Sequence, residues 1–185
     1  MSDRYPNFPA GTLSTTEIIK LSGCMPSTVL IDEYYMQRGT AAHHATALHD
    51  QGTLDESTVD PAIAGYLSAW KKFRADTKYT PVLIERPLLH DLYGYCGTLD
   101  RDGLDIKTGA AAPWHLLQAS SYRELMNANG LLTTANDGFI TVYLSEDGTY
   151  KVQVYKLKDL LAARRDFLTL LAAIRIKQNY KGGKT

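Results

Sequence analysis

The dipeptide Asp102-Gly103 lies between runs of alternating apolar and polar residues, and this segment limits the possible folds more than any other. Asp-Gly favours a two-residue type I′ turn, which joins antiparallel strands. The alternation predicts strands over Thr80 to Leu89 and Tyr93 to Arg101, and a return strand over Leu104 to Lys107. The chain must therefore build a β-sheet around this hairpin.

Helical patterns precede the predicted strands. The segment Ser14-Thr15-Thr16-Glu17 has the pattern of a capping box, which predicts a short helix after it. Residues 28–49 are rich in helix-forming residues, and Gly39 in their midst leaves open a break into two helices. A helix is predicted from Pro61 to about Ala75, because Asp60 can cap it and proline is tolerated at the first helical position.

Helices and a second hairpin follow the predicted strands. Apolar spacing predicts a helix over Trp114 to Asn127, and strands over Phe139 to Leu144 and Tyr150 to Tyr155 surround another Asp-Gly turn. A last helix is predicted over Leu157 to Ile176. This order of elements predicts an α/β (α+β) fold in which helices flank a central mixed sheet.

Composition bounds the size and setting of the protein. Hydrophobic residues make up 44% of the chain and charged residues 22%, which is typical of a globular protein. One domain is expected over residues 1–185, with loose termini at residues 1–10 and 178–185. Two cysteines and no apolar run of about 20 residues predict a cytoplasmic protein that does not span a membrane.

The charge distribution bears on a nucleic-acid partner. A formal net charge of zero argues mildly against one, because nucleic-acid-binding domains are often basic. From residue 151 onwards, however, there are nine lysines or arginines against two aspartates. Two interpretations stay open: a solvated helix face with a loose terminus, or a surface that follows phosphates.

The predicted hairpin places several charged residues together. If Asp102 and Gly103 form the turn, Asp100 lies directly across from Asp105, and Thr98 across from Lys107. Opposed carboxylates repel each other unless a cation lies between them. A hard divalent cation would remove that penalty and would keep water molecules for chemistry.

A carboxylate at position 100, a short turn and then Asp105-Ile106-Lys107 resemble the core motif of the PD-(D/E)XK nuclease superfamily. The segment from Arg38 to His43 is similar to the G-x-x-x-H helix motif of RecB-type nuclease domains, and the segment from Gln118 to Tyr122 is similar to their Q-x-x-x-Y motif. These motifs stand in the family's order. The resemblance covers about half of the chain, over residues 38–122.

The resemblance implies a restriction-endonuclease-like core with a metal-dependent active site. Mg²⁺, or Mn²⁺ as a substitute, would be held by Asp100, Asp105 and the carbonyl of Ile106. His43 would be a further ligand or would position a second metal. Lys107 would polarise the water that attacks the phosphodiester, and the products would carry 5′-phosphates.

Three further residues stand near this predicted site. Gln118 and Tyr122 would contact DNA or support the metal-bound strand. Two interpretations of Glu85 stay open, a solvated glutamate at a sheet edge or an additional active-site carboxylate. The iron–sulfur branch of these nucleases uses four cysteines, so this chain is not expected to hold a cluster.

These features predict a divalent-metal-dependent DNA nuclease, an exonuclease of phage or recombination type. The expected partners are DNA and either a second copy of the chain or a recombination protein. A structure-selective or nicking endonuclease and a DNA-binding module that does not cut are the alternatives. A zinc hydrolase built on His43, His44 and His49 is disfavoured, because their spacing does not match H-E-x-x-H.

Overall fold

The computed structural model describes residues 7–25, 33–132 and 138–181, and the predicted α+β fold is confirmed. Within these ranges a mixed six-stranded sheet is flanked by five α-helices. In chain order the elements are β1 (Leu13–Ser14), α1 (Thr15–Leu21), α2 (Glu33–Gln51), α3 (Pro61–Thr77), β2 (Ile84–His90), β3 (Tyr95–Arg101), β4 (Leu104–Lys107), α4 (His115–Ala128), β5 (Phe139–Leu144), β6 (Tyr150–Tyr155) and α5 (Leu157–Lys181).

The helices begin where the sequence predicts them. Ser14 accepts a hydrogen bond from the backbone of Glu17, whose side chain accepts one from the backbone of Ser14, so the capping box is confirmed. Asp60 caps α3 in the same manner through the backbone N–H of Ala62. No helix in the described ranges is long and apolar enough to cross a membrane.

Helix α2 runs without a break through Gly39, so the open question of two helices is resolved in favour of one. A methyl group at Gly39 would lie 3.4 Å from the hydroxyl oxygen of Thr108. The helix therefore passes close to the end of β4, and this tertiary packing outweighs the modest helix propensity of glycine. The predicted helix start at residue 28 lies outside the described residues.

Strand β3 lies at the centre of the sheet and has three partners. It pairs with β2 along one edge in antiparallel orientation. Its other edge is shared, because β1 pairs with Tyr95 and Cys96 at its start and β4 pairs with Arg101 at its end. Beyond β4 the sheet continues with β5, in parallel orientation, and with the antiparallel strand β6. Between the residues that pair with β1 and those that pair with β4, this edge of β3 has no backbone partner among the described strands.

The first predicted strand begins later than expected. β2 starts at Ile84 instead of Thr80, because the carboxylate of Asp102 accepts hydrogen bonds from the backbone N–H groups of Val82 and Leu83. A side chain thus replaces the sheet partner of these two residues. The hairpin of β5 and β6 has the predicted bounds, and α5 continues beyond the predicted end at Ile176.

The sheet separates two hydrophobic cores. On one face α1, α4 and α5 pack against β2, β3 and β5, and on the other face α2 and α3 pack against β4 and β5. The largest fully buried apolar side chains are divided between the two faces. They are Tyr95, Phe139 and Phe167 in the first core and Trp70 and Phe73 in the second. The chain therefore forms three layers, helices over sheet over helices.

Helix α3 meets the turn between β5 and β6 at Gly65. A methyl group at this position would overlap the backbone carbonyl of Glu146. We expect Gly65→Ala to lower the free energy of unfolding by about 2 kcal/mol or more, since neither backbone can move without disturbing the core. Thermal denaturation followed by circular dichroism measures this loss.

Gly39→Ala is the matched control, because Gly39 also lies inside a helix but has only an ordinary contact with Thr108. Alanine favours a helix over glycine by up to about 1 kcal/mol, so this variant should be as stable as the wild type or more stable. Equal melting temperatures for Gly65→Ala and the wild type would show that α3 and the turn do not pack as closely as described.

Candidate metal and catalytic site

All the predicted site residues except Ile106, which lies in the core, line one cleft at the unpaired edge of β3. This cleft has a volume of 630 Å³ and takes residues from α2, β2, β3, β4 and α4. His43, Glu85, Asp100, Asp105, Lys107, Gln118 and Tyr122 all line it. The three segments that resemble the nuclease motifs are therefore close together in space.

The predicted pairing of β3 with β4 is wrong beyond the first residue pair. Arg101 pairs with Leu104, and among the described residues the ladder ends there. The predicted pairs of Asp100 with Asp105 and of Thr98 with Lys107 do not form, although β4 pairs along its whole length with β5 on its other edge. A carboxylate oxygen of Asp100 instead accepts a hydrogen bond of 2.7 Å from the backbone N–H of Ile106.

His43, Glu85 and Asp100 form a compact cluster of three metal-ligating side chains. One donor atom from each lies within 4.8 Å of the other two. The Nδ1 atom of His43 is 3.3 Å from a carboxylate oxygen of Asp100 and 4.0 Å from one of Glu85. Helix α2 thus brings its histidine over the two strands that carry the carboxylates.

Glu85 has an unusual backbone conformation for a strand. The pairs on either side of it, Ile84 with Arg101 and Arg86 with Leu99, place Glu85 opposite Asp100, but this pair is absent from the ladder. Its φ of 47° lies in the left-handed region, which costs a non-glycine residue about 1–3 kcal/mol. Such strain is typical of functional sites. The geometry favours the interpretation of Glu85 as an active-site carboxylate over a solvated edge residue.

Asp105 and Lys107 form an ion pair beside this cluster. The ammonium group of Lys107 donates to a carboxylate oxygen of Asp105 at 2.6 Å. Burial and the nearby charge of Asp100 raise the pKa of Asp105 to about 6, although Lys107 acts in the opposite direction. Asp105 is not among the three side chains that lie within mutual reach, because Lys107 holds it.

Asp100 and His43 stabilise each other in their charged forms. Burial would raise the pKa of Asp100, but His43, Lys107 and the N–H of Ile106 lower it to about 2. Burial would lower the pKa of His43, but Asp100 and Glu85 raise it above its ordinary value. Without a cation, the two carboxylates therefore favour the protonated form of His43.

Arg101 was not predicted as a site residue, yet it supports two residues of the cluster. Its guanidinium is fully buried and donates to Glu85 at 3.3 Å and to the backbone carbonyl of Asp100. It also donates to the buried carboxylate of Asp50 at 2.6 Å and to the hydroxyl of Thr46 at 3.2 Å. Arg101 is a charged residue at a strand position where an apolar residue is more usual. This feature of the sequence could have identified it.

Gln118 and Tyr122 lie together on the α4 side of the cleft. The amide nitrogen of Gln118 donates to the hydroxyl of Tyr122 at 3.0 Å. The amide oxygen of Gln118 is buried and has no hydrogen-bond partner within the described ranges. A buried acceptor of this kind calls for a water molecule or a ligand. The arrangement fits a contact to a bound molecule better than a purely structural pair.

The donor set in the cleft fits a divalent cation. One imidazole nitrogen and two carboxylates combine three ligands and two negative charges, a set that can hold a divalent cation. His43, Glu85 and Asp100 are the residues that would hold it. The predicted roles of Asp105 and the Ile106 carbonyl as ligands stay predictions. In the structure Glu85, and not Asp105, belongs to the group of side chains close enough to share one cation.

No protein-family model matches this chain, and no curated protein matches it. The functional interpretation therefore rests on the motifs and on the geometry of the cleft.

Proposed function

We propose that this protein is a divalent-metal-dependent DNA nuclease. One observation carries the proposal. The partly buried cluster of His43, Glu85 and Asp100 adjoins the ion pair of Asp105 and Lys107 in one open cleft. Carboxylates that lie this close repel each other, and their contacts with His43 and Arg101 offset part of that repulsion, so a bound cation would stabilise the cluster further.

Each side chain has a distinct task in this proposal. His43, Glu85 and Asp100 bind and orient the cation, and Arg101 holds the last two in place. The bound cation neutralises negative charge that develops on the phosphate during cleavage. Lys107 donates hydrogen bonds to the attacking water or to a phosphate oxygen, and Asp105 keeps its ammonium group charged and oriented.

The type of cleavage follows from the resemblance to RecB-type nucleases. We propose an exonuclease that leaves 5′-phosphates and uses Mg²⁺, with Mn²⁺ as a substitute. Gln118, whose buried oxygen lacks a partner, and Tyr122 would contact the DNA from α4. A DNA-binding module that does not cut would have no use for the acidic cluster, so that alternative is less well supported.

The proposal predicts that cleavage depends on a divalent cation. End-labelled linear DNA and covalently closed circular DNA are incubated with the purified protein in Mg²⁺, Mn²⁺ or EDTA. We expect both metals to support degradation and EDTA to abolish it, because the clustered carboxylates cannot act without a cation. Linear DNA should be degraded much faster than closed circles.

An Asp100→Asn preparation, purified in parallel, is the control for a contaminating nuclease. Cleavage that continues in excess EDTA would refute the metal-dependent mechanism. Equal rates on linear and circular DNA would instead favour an endonuclease with the same site.

A further inference from the structure

A second cavity adjoins the proposed active cleft. It has a volume of 770 Å³, and its lining includes Thr108, Gly109 and Ala110, which follow Lys107 directly. Tyr35 lines both this cavity and the active cleft, so the two spaces meet at its side chain. A polymer bound in the active cleft would therefore pass Tyr35 to enter the second cavity.

Aromatic and guanidinium groups face each other at this junction. The guanidinium carbon of Arg38 lies 4.9 Å from the ring centre of Tyr35 and 5.1 Å from that of Tyr66. Tyr66 is buried, whereas Tyr35 is 55% exposed. Arg38 thus packs against the buried ring of Tyr66. The ring of Tyr35, which Arg38 also contacts, remains accessible beside the cavity.

An exposed tyrosine on a soluble surface exposes a large flat apolar area, which a planar ligand can cover. The Nε atom of Arg38 is buried and has no hydrogen-bond partner in the described ranges. The guanidinium therefore keeps an unused donor at the junction. A planar group would cover the exposed ring of Tyr35, which Arg38 supports through its contact of 4.9 Å.

The charges that line the second cavity favour a nucleobase over a bare phosphate as the ligand. Arg38 and Lys151 line the second cavity, but so do Glu146 and Asp147. A polyphosphate would meet both acidic side chains. A nucleobase carries no net charge, stacks on aromatic rings and offers both donors and acceptors at its edge.

We infer that Tyr35 and Arg38 form a stacking site for an unpaired base of a single DNA strand that extends from the active cleft. The inference rests on the proposed nuclease function and names the substrate class for the same site. Tyr35 precedes His43 by eight residues in α2, which corresponds to about 12 Å along the helix. The stacked base would lie one or two nucleotides from the scissile phosphate. In a duplex that base face is covered by its neighbours, so a single strand or a frayed end is required.

Binding experiments test this site without relying on cleavage. The probe is an end-labelled single strand of about 16 nucleotides. Its affinity is measured by fluorescence anisotropy in Ca²⁺ and in EDTA, next to a blunt duplex of the same sequence. We expect the single strand to bind more tightly than the duplex. Replacement of one base by an abasic residue should weaken binding about tenfold at one or two positions only.

Variants of Tyr35 link that loss to the proposed site. Tyr35→Ala should weaken binding of the intact strand about tenfold and should show no additional loss with the abasic strand, because both changes remove the same contact. Tyr35→Phe should bind like the wild type, since the ring is retained. Tyr180→Ala is the matched control, because Tyr180 is 83% exposed and lies outside both cavities.

The outcomes distinguish this inference from the proposed function. If the wild type cleaves DNA but Tyr35→Ala binds as well as Tyr180→Ala, the stacking site is refuted and the nuclease proposal stands. The same conclusion follows if abasic strands weaken the wild type and Tyr35→Ala equally. If the wild type neither binds nor cleaves DNA, both proposals fail.

Discussion

Asp100→Asn is expected to slow DNA cleavage by about a hundredfold to a thousandfold while leaving the protein folded. Asparagine retains an oxygen that can accept the hydrogen bond from the N–H of Ile106, so the local backbone should keep its conformation. The change removes the negative charge that pairs with His43 and that would bind the cation. Loss of one well-placed electrostatic contact at a reaction centre commonly costs about a hundredfold to a thousandfold.

Single-turnover rates at saturating enzyme, in Mg²⁺, measure this effect without interference from weaker binding. Lys107→Ala is the informative companion variant. It should lose turnover to a similar extent but retain cation affinity, because Lys107 is not part of the triad. A wild-type cleavage rate for Asp100→Asn would remove Asp100 from the reaction. A wild-type rate for Lys107→Ala would show that Lys107 takes no part in the chemical step and at most binds a phosphate.

Arg101→Met should cause the largest loss of stability among single changes near the site. Arg101 and the Asp50 side chain are both fully buried and share a hydrogen bond of 2.6 Å. Without Arg101, the Asp50 carboxylate keeps only Arg74 and the indole N–H of Trp70 as partners. Removal of one member of a buried ion pair typically costs about 3–5 kcal/mol. We expect the melting temperature to fall by roughly 6–20 °C.

A double-mutant cycle shows whether this ion pair is the cause. In Asp50→Asn/Arg101→Met the buried carboxylate that loses Arg101 as an ionic partner is absent, so the double variant should be more stable than the sum of the two single losses predicts. Additive losses would mean that Arg101 stabilises the fold through its other contacts. Arg101→Lys should recover only part of the stability, because an ammonium group cannot reproduce the geometry of the guanidinium.

Local signals in the sequence explain which parts of the fold were predictable. The capping box at Ser14, the Asp60-Pro61 start of α3 and the hairpin of β5 and β6 all depend on residues within a few positions of each other. His43 and Asp100 were proposed from motifs, and the structure places their side chains in contact. Motif order implied this proximity, although periodicity alone did not.

Long-range effects explain what the sequence did not disclose. The pairing of β4 with β5 depends on a strand about 35 residues away, and the Asp100 carboxylate rather than the backbone of β3 takes the N–H of Ile106. The partnership of Arg101 with Asp50 joins a strand to a helix far earlier in the chain. The left-handed backbone of Glu85 is a strained exception to strand geometry, and no local preference of glutamate predicts it.

The parallel pairing of β4 with β5 has a consequence for the order of folding. The connection that includes α4 must return the chain to the sheet before these two strands can pair, and non-local parallel pairing of this kind is slow. Until then β4 has a single residue pair with β3. Asp105 and Lys107 therefore become fixed late, so we expect folding intermediates to lack an assembled active site. A newly made chain would therefore have no nuclease activity of the proposed kind until its folding is nearly complete.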